Sequence, residues 1–284
     1  MSNINERFSY QNRIPVLDHG HVFVVDHMGD DQTIERAARV SYQKGTRTTR
    51  DTEALIRYMM RHGHTSPFEQ CVITLDMKLP IFVARQFVRH RTQSLNEISG
   101  RYSELPSEFY VPTIIRRQSK LNKQGSGEAL PDVEQAALIA QMENEADESF
   151  KSYRQFLDSD VARETARINL PLSTYTQWQT TMNLHNLFHF LKLRMDGHAQ
   201  SEAQAYAAAI FSIVREWVPI ATNAWVEYSY GAQQFSMSEL QVLKMLVKNA
   251  QYDDVEGALA LHAKSMTARE VTEFLATLGI TRRN

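Results

Sequence analysis

The sequence is short of sulfur chemistry, of net charge and of long apolar runs, and each shortage excludes something. Cys71 is the single cysteine among 284 residues, which rules out an intrachain disulfide framework and a thiolate-built metal cage. Lysine plus arginine number 31 and aspartate plus glutamate 33, a net charge of −2. A generic nucleic-acid coat carries a large positive excess, so any anion handled here has to be met by arginines gathered locally. No stretch reaches the roughly 18 apolar residues that a membrane helix needs. Met1 to Pro15 is polar and charged, without the apolar core of a signal peptide. Both features lead to the expectation of a soluble cytoplasmic protein with no membrane partner. A Gly-x-Gly-x-x-Gly turn is missing too, which weighs against a Rossmann dinucleotide site. Charged residues at 23% and hydrophobic ones at 43% are those of a folded globular chain.

What is present is a mixed periodicity. Alternation over His21–Val25 predicts a strand, and Thr33 reads as the cap of a short helix reaching Val40. A basic polar loop from Lys44 to Arg50 precedes a helix over Thr52–His62, with Gly63 as its stop. Cys71–Met77 alternates as a strand, and Pro80 opens a helix that delivers Arg89-His90-Arg91 at its end. Thr92–Arg101 reads as a polar loop and Gln118–Pro131 as an exposed linker. Asp132 with Gln135 reads as the cap of a long helix to about Leu157, followed by a helix over Val161–Ile168. Tyr175–Thr181 predicts a strand; Leu184–Leu193 and the alanine-rich His198–Trp217 predict helices. Two amphipathic helices follow in the tail, with Ser238 and Thr267 as caps. The class is α+β and helix-rich, with a main domain over residues 1–232 and a C-terminal helical extension over 233–284.

The densest chemistry lies in Arg89-His90-Arg91-Thr92-Gln93-Ser94-Leu95-Asn96-Glu97-Ile98-Ser99-Gly100-Arg101-Tyr102. Arginine grips phosphate bidentately and keeps its charge when desolvated. Ser99 and Gly100 would let backbone N–H groups come close to an anion. Glu97 among these arginines reads as an acceptor for a ribose hydroxyl or as an orienter of an arginine. The bland alternative is a solvated basic loop at a helix end. Elsewhere, His185 and His189 share one helix face at zinc spacing, and His198 with Glu202 repeats that spacing. No glutamate follows His185 as the zinc-protease pattern requires, so no metal is expected. Arg116, Arg117, Lys120 and Lys123 read as a solvated charge run, with a docking patch for phosphate or polyglutamated folate as the alternative.

The order Arg-His-Arg-x-x-Ser-x-Asn-Glu-x-Ser-x-Arg-Tyr, 9 fixed residues in 14 positions, resembles without mismatch the signature of flavin-dependent thymidylate synthases. Segments Ala38-Arg39-Val40-Ser41-Tyr42, His64-Thr65-Ser66-Pro67-Phe68-Glu69, Ala166 to Pro171, Asn183 to Arg194 and His198-Ala199-Gln200 resemble the same family in the same order. The resemblance spans roughly Val22 to Tyr230. It implies a small, mostly antiparallel, non-Rossmann sheet, and homotetramers whose active sites borrow residues from neighbouring subunits. It implies the reductive methylation of dUMP to dTMP, with methylenetetrahydrofolate as carbon donor and NADPH-reduced FAD as hydride source. The unrelated type of thymidylate synthase needs a thiolate. Here the lone Cys71 alternates with apolar residues and reads as a small buried hydrophobe.

Matching positions imply residue roles. Arg194 is the arginine that polarises the pyrimidine and favours loss of its N3 proton. Ser99 and His64 stand beside the chemistry; Ser99 has no partner base and reads as a binding group, while His64 matches a histidine near the flavin ring and the folate entry. FAD is expected at Ser66, Glu69, Arg89, His90, Arg91, Glu97, Asn183, His185 and His189. The nucleotide is expected at Gln86, Arg89, Glu97, Ser99, Gly100, Arg101, Arg167 and Arg194. His185 and His189 replace an arginine and an asparagine that some members carry. Two other classes compete: a module holding RNA or single-stranded DNA, opposed by the net charge and the lack of interleaved aromatics, and a degenerate scaffold, opposed by the full signature.

Overall fold

The computed structural model describes residues 3–40, 51–120, 125–247, 255, 257–259 and 266–280. The basic loop expected over Lys44–Arg50, the Ser41-Tyr42 end of the Ala38 segment, and Lys123 lie outside them. The chain divides into two compact units, Met1–Gly231 and Ala232–Asn284. No helix among the described residues is long and apolar enough to cross a membrane.

The first unit is built on a five-stranded sheet in the order β1-β2-β3-β7-β4, every neighbouring pair antiparallel. These strands are β1 Ile14–Val16, β2 Gly20–Met28, β3 Val72–Pro80, β4 Ser94–Glu97 and β7 Tyr175–Asn183. β3 and β7 pair along their whole length, from Val72 opposite Asn183 to Pro80 opposite Tyr175. Directly opposed residues share a face. Val22 and Val24 of β2, Ile73, Leu75, Met77 and Leu79 of β3, and Thr176, Trp178, Thr180 and Met182 of β7 therefore form one inner surface, and all are buried. The outer face is polar: Asp76 accepts from Gln177 Nε2 at 2.8 Å.

Helices cover the inner face. α1 is Ile4–Arg7, α2 Asp31–Arg39, α3 Thr52–Arg61, α4 Ile81–Phe87, α5 Asp132–Asp158, α6 Arg163–Ala166, α7 Leu184–Arg194, α8 Ser201–Trp217 and α9 Pro219–Trp225; of these, α5 and α6 pack on each other in a separate small cluster of Phe150, Tyr153 and Ala166. α8 contributes Tyr206, Ile210, Ile213, Val214 and Trp217 to the core. It comes so close to the β1–β2 turn that a Cβ on Gly20 would lie 1.9 Å from Tyr206 Oη and 2.6 Å from the Val16 carbonyl. α9 is held from a distance: buried Asp31 accepts the Ile220 and Ala221 N–H groups, both at 2.9 Å, which satisfies its first orphan donors.

Several local expectations shift, for definable reasons. Asp30, not Thr33, caps α2; Thr33 is the reciprocal partner of a capping box. The polar loop over Thr92–Arg101 contains β4, an edge strand whose Leu95 lies opposite Thr180 on the inner face. The expected linker over Gln118–Pro131 overlaps an exposed hairpin of β5 Arg116–Gln118 and β6 Ser126–Ala129. Polar strands at edges carry no apolar alternation, so period alone misses both. Pro131 precedes α5 without a side-chain cap, and Gln135 instead bridges the Ile115 N–H and the Leu130 carbonyl. Cys71 ends just before β3, which runs on to Pro80. The helix expected from His198 begins at Ser201, and the one expected over Val161–Ile168 is the short α6 with a 3₁₀ turn. In the second unit helices span Met237–Leu246 and Ala268–Leu278; Ser236, not Ser238, caps the first, and Thr267 the second.

Filling the Gly20 contact should be costly. Gly20→Ala is expected to lower unfolding free energy by about 3 kcal/mol, the upper range for overpacking. Gly197→Ala, where a Cβ meets nothing within 4 Å, should stay within about 0.5 kcal/mol. Urea titrations of the two variants check this.

Candidate active site

α4 and α7 end against each other. Asn183, the last residue of β7, caps α7 by accepting from the Asn186 N–H at 2.9 Å. Leu184, Leu187, Phe190 and Leu191 face the core, so His185, His189 and Lys192, at i, i+4 and i+7, share another face. Arg194 closes the helix. It donates Nε–H to His90 Nε2 at 3.0 Å and Nη2–H to the Gln86 carbonyl at 2.9 Å. The Gln86 side chain in turn donates to Gln200 Oε1 at 2.6 Å.

His90 is 9% exposed, edge-on to Phe190 with ring centroids 4.8 Å apart. Burial, then the charge of Arg194 and the proximity of His189, push its pKa down to about 4. Burial also lowers that of Arg194, yet a guanidinium keeps its proton in any protein setting. The contact therefore joins a fixed cation to a neutral acceptor.

His189, with its ring 6.0 Å from that of His90, also lines a cleft of about 320 Å³. Met59 and Met60 of α3, then His64 and Thr65, form one wall; His185, His189 and Lys192 form another. Phe68, Phe188, Trp225 and Tyr228 supply apolar surface, and Phe188 stacks on Trp225 at 5.0 Å with planes 6° apart. The result is a slot with aromatic sides and a rim of nitrogen donors.

A second group of expected residues forms around the turn after β4. Glu97 accepts from Thr176 Oγ1 at 2.6 Å. Ser99 Oγ accepts from the Arg101 N–H at 3.3 Å, so its hydroxyl serves the turn. Gly100 is buried, and a Cβ there would lie 3.1 Å from Arg167 Cδ, which places the Arg167 side chain across the turn. The Leu105 N–H then ties the segment to Tyr153 Oη of α5 at 3.1 Å.

The structure thus brings Gln86, His90 and Arg194 together, joins His64, His185 and His189 in one cleft, and pairs Gly100 with Arg167. Among the described residues no hydrogen bond or ion pair links the Ser99–Arg101 turn or Arg167 to Arg194, His90 or Gln86. Arg101 makes a surface ion pair to Glu164 at 3.1 Å, and Arg89 and Arg91 are exposed at the end of α4, as the solvated-loop alternative also has them. Arg89, Arg91 and Arg167 have no carboxylate partner among the described residues. Ser66 is exposed and outside the cleft lining, while its neighbour Thr65 lies in it; Thr65 Oγ1 is 3.5 Å from Glu69 Oε1, the limit of a hydrogen bond. The His198 and Glu202 pair is split, His198 to Asp196 at 2.9 Å and Glu202 to the Tyr110 hydroxyl at 3.1 Å. Among the described residues no group of three or more His, Cys, Asp or Glu is placed to hold a metal ion.

The sequence pattern of the family described as thymidylate synthase complementing protein matches residues 23–220. A flavin-dependent thymidylate synthase of Thermus thermophilus is 52% identical over 248 residues, covering 87% of this chain and 91% of that protein. The chain belongs to the flavin-dependent thymidylate synthase family. The Wolbachia pipientis member is 49% identical over 235 residues, covering 82% of this chain and 83% of its own length. The Ruegeria pomeroyi member is 44% identical over 271 residues and reaches 93% of this chain and 87% of its own. Among solved structures, the UMP/dUMP methylase PolB of Streptomyces cacaoi bound with 5-Br dUMP is similar with a TM-score of 0.69 at 32% identity, covering 76% of this chain and 99% of that one.

For a flavin-dependent thymidylate synthase the state of the one thiol matters. Cys71 is fully buried and its Sγ–H points at the Asp30 carbonyl at 3.4 Å. Burial first, then Asp30 and Asp31, push its pKa up to about 12, so no thiolate nucleophile is at hand. Sequence reasoning missed Thr65, Lys192, Trp225 and Tyr228 in the cleft; only Lys192, in register with His185 and His189 on α7, carried a usable signal.

Two outcomes are expected. Cys71→Ala should retain turnover, and the wild-type thiol should stay unreactive toward a thiol reagent until urea unfolds the chain. His90, held below its ordinary value of 6.5 in the fold, makes the unfolded chain the better proton binder in acid. Its contribution is complete above pH 6.5 and is lost progressively as pH falls toward about 4. Urea midpoints across that range should fall more steeply for wild type than for His90→Gln.

Proposed function

We propose that this chain methylates dUMP reductively to dTMP, with methylenetetrahydrofolate as carbon donor and FAD, reduced by NADPH, as hydride source. The observation that carries the reading is the Arg194 guanidinium held by a neutral histidine, together with three arginines, Arg89 and Arg91 beside that histidine in sequence and Arg167 at the Gly100 turn, that have no carboxylate partner among the described residues. Unpaired arginines suit an anionic ligand such as a nucleotide phosphate.

The cleft fits a flavin ring. Its aromatic sides suit a flat, apolar body, and the His64, His185, His189 and Lys192 nitrogens can meet the polar edge. A cleft of about 320 Å³ takes part of a dinucleotide, leaving the rest to the exposed Arg89 and Arg91, to Glu97 and to the Ser66–Glu69 turn. When bound, FAD supplies the two-electron reduction that the amino acids here cannot. Asn183 sets the start of α7, and so the positions of His185 and His189, by capping it.

For the nucleotide, Gln86, Arg89 and Arg194 form one half-site, and Glu97, Ser99, Gly100, Arg101 and Arg167 the other. Arg194 stabilises negative charge on the pyrimidine as its N3 proton leaves, without having to accept that proton. Backbone N–H groups at the tight Ser99–Arg101 turn can approach the phosphate closely, since Gly100 has no side chain to fend it off. His64, exposed and lining the cleft, is the side chain the folate would meet. The separation of the two half-sites supports completion by neighbouring copies in a homotetramer. An apolar groove of about 660 Å³ beside Phe82, Ile114, Met142 and Leu172 offers such a copy a surface.

The test is a visible absorption spectrum of the purified protein, before and after dUMP. A flavin spectrum that shifts on adding dUMP is expected; protein that neither takes up FAD nor responds to dUMP overturns the reading. Arg194→Ala should keep the flavin and slow dTMP formation by about 10²- to 10³-fold, the effect of losing one preorganised donor.

A further inference from the structure

On the reading that Arg194 acts on the pyrimidine, we propose that His90 is its positioning residue. It is a neutral imidazole protonated on Nδ1, whose bare Nε2 holds one edge of the guanidinium and leaves the opposite edge for the substrate. The geometry selects the tautomer. Nε2 accepts the Arg194 Nε–H at 3.0 Å, and neither an imidazolium nor an Nε2–H ring has an acceptor there.

A guanidinium carries five N–H bonds in a rigid planar fork. Nε–H and one Nη2–H lie along the same edge, and both are taken, by His90 and by the Gln86 carbonyl at 2.9 Å. The Nη1/Nη2 edge keeps two parallel N–H bonds, which suits a carbonyl oxygen on a planar ring. Arg194 is half-buried, and among the described residues no hydrogen bond or ion pair occupies that edge.

His90 is itself fixed. Its backbone N–H donates to the Phe87 carbonyl at 3.0 Å, and its ring packs against Phe190. The charged or titratable groups facing it are Arg194 and His189 of α7, with Arg89 and Arg91 as its chain neighbours. Among the described residues no carboxylate touches it, so nothing offsets the cost of charging the ring beside Arg194. Burial acts in the same direction. With Nε2 committed, only Nδ1–H remains for a cofactor.

Turnover and bound-flavin absorbance of His90→Phe, His90→Gln, Arg194→Ala and the His90→Phe/Arg194→Ala double variant test this together. His90→Phe should keep its flavin and lose turnover by about 10²-fold, the scale of an ångström's misplacement. His90→Gln, which offers an oxygen near the Nε2 position, should recover most of it. The double variant should be no slower than Arg194→Ala, because both changes remove one function. Loss of flavin in His90→Phe alone, or a double variant slowed by the product of the single effects, overturns the proposal. Normal turnover of Arg194→Ala overturns instead the reading of the arginine on which it rests. The tautomer can be read without any variant, by ¹⁵N-histidine NMR of the wild-type flavoprotein from about pH 5 to 8. A bare Nε2 with protonated Nδ1 throughout supports the proposal; a proton on Nε2 overturns it.

Discussion

The rest of the structure depends on the full-length antiparallel pairing of β3 with β7. β3 ends at Pro80 and turns into α4; β7 ends at Asn183, at the opposite end of the pair, and turns into α7. Strands of this length span about 27 Å, and helices of 7 and 11 residues span about 10 and 16 Å. Two helices folded back from opposite ends of such a pair meet tip to tip. Phe87 of α4 lies edge-on to Phe190 of α7 at 4.9 Å, and His90 receives Arg194 just beyond. The register of two strands thus determines whether the arginine finds its histidine. A slip of one residue would turn Leu75 and Met77 outward and part the helix tips as well.

The wall opposite α7 is set by a different constraint. Asp31 reaches from the start of α2 to the first N–H groups of α9, and Trp217 Nε1 donates to the Gly29 carbonyl at 2.7 Å. Gly29 has a φ of +83°, and a Cβ there would lie 2.9 Å from Cys71 Sγ, so both the backbone sign and the space call for glycine. These contacts fix α9, and with it Trp225 against Phe188. The cleft is an outcome of core packing on both sides, with polar groups only at its rim.

How much of this was legible in the sequence depends on which side chains report their surroundings locally. β3 and α3 carry clear apolar periods and α8 is rich in alanine, and the sequence places these, with β7 and α7, within a few residues. β4 was hidden because Ser94, Asn96 and Glu97 are exposed and its two positions on the inner face, Leu95 and Glu97, are one apolar and one charged. The hairpin around Gly125 and Gly127 was hidden because its strands expose their residues to solvent. Arg194, Gln86 and the Arg-His-Arg triplet were legible as chemistry from residue order. Their contact was not: residues 86 and 194 meet only through the strand pairing, and a long-range register has no local signature. Thr65 in place of Ser66, and Trp225 in a wall, are choices of side-chain direction that one-dimensional spacing does not encode.

Burial in this fold suppresses ionisation of the side chains best suited to covalent and proton-transfer chemistry. Cys71 is pushed up to about 12 and His90 down to about 4. Tyr175 and Tyr206, buried near Asp18, and Tyr110, bonded to Glu202, are all pushed well above the ordinary phenol range. None of these five presents a nucleophile or a proton donor of matched strength near neutrality. Arg194, Arg89, Arg91 and Arg167 are different in kind: they keep their charge whatever the burial and exchange no protons. The surroundings of the arginine thus offer fixed electrostatics and orientation, and ask the bound molecules to bring the electrons and the carbon. That is the division of labour a flavin enzyme needs, and it follows from what the core does to its titratable groups.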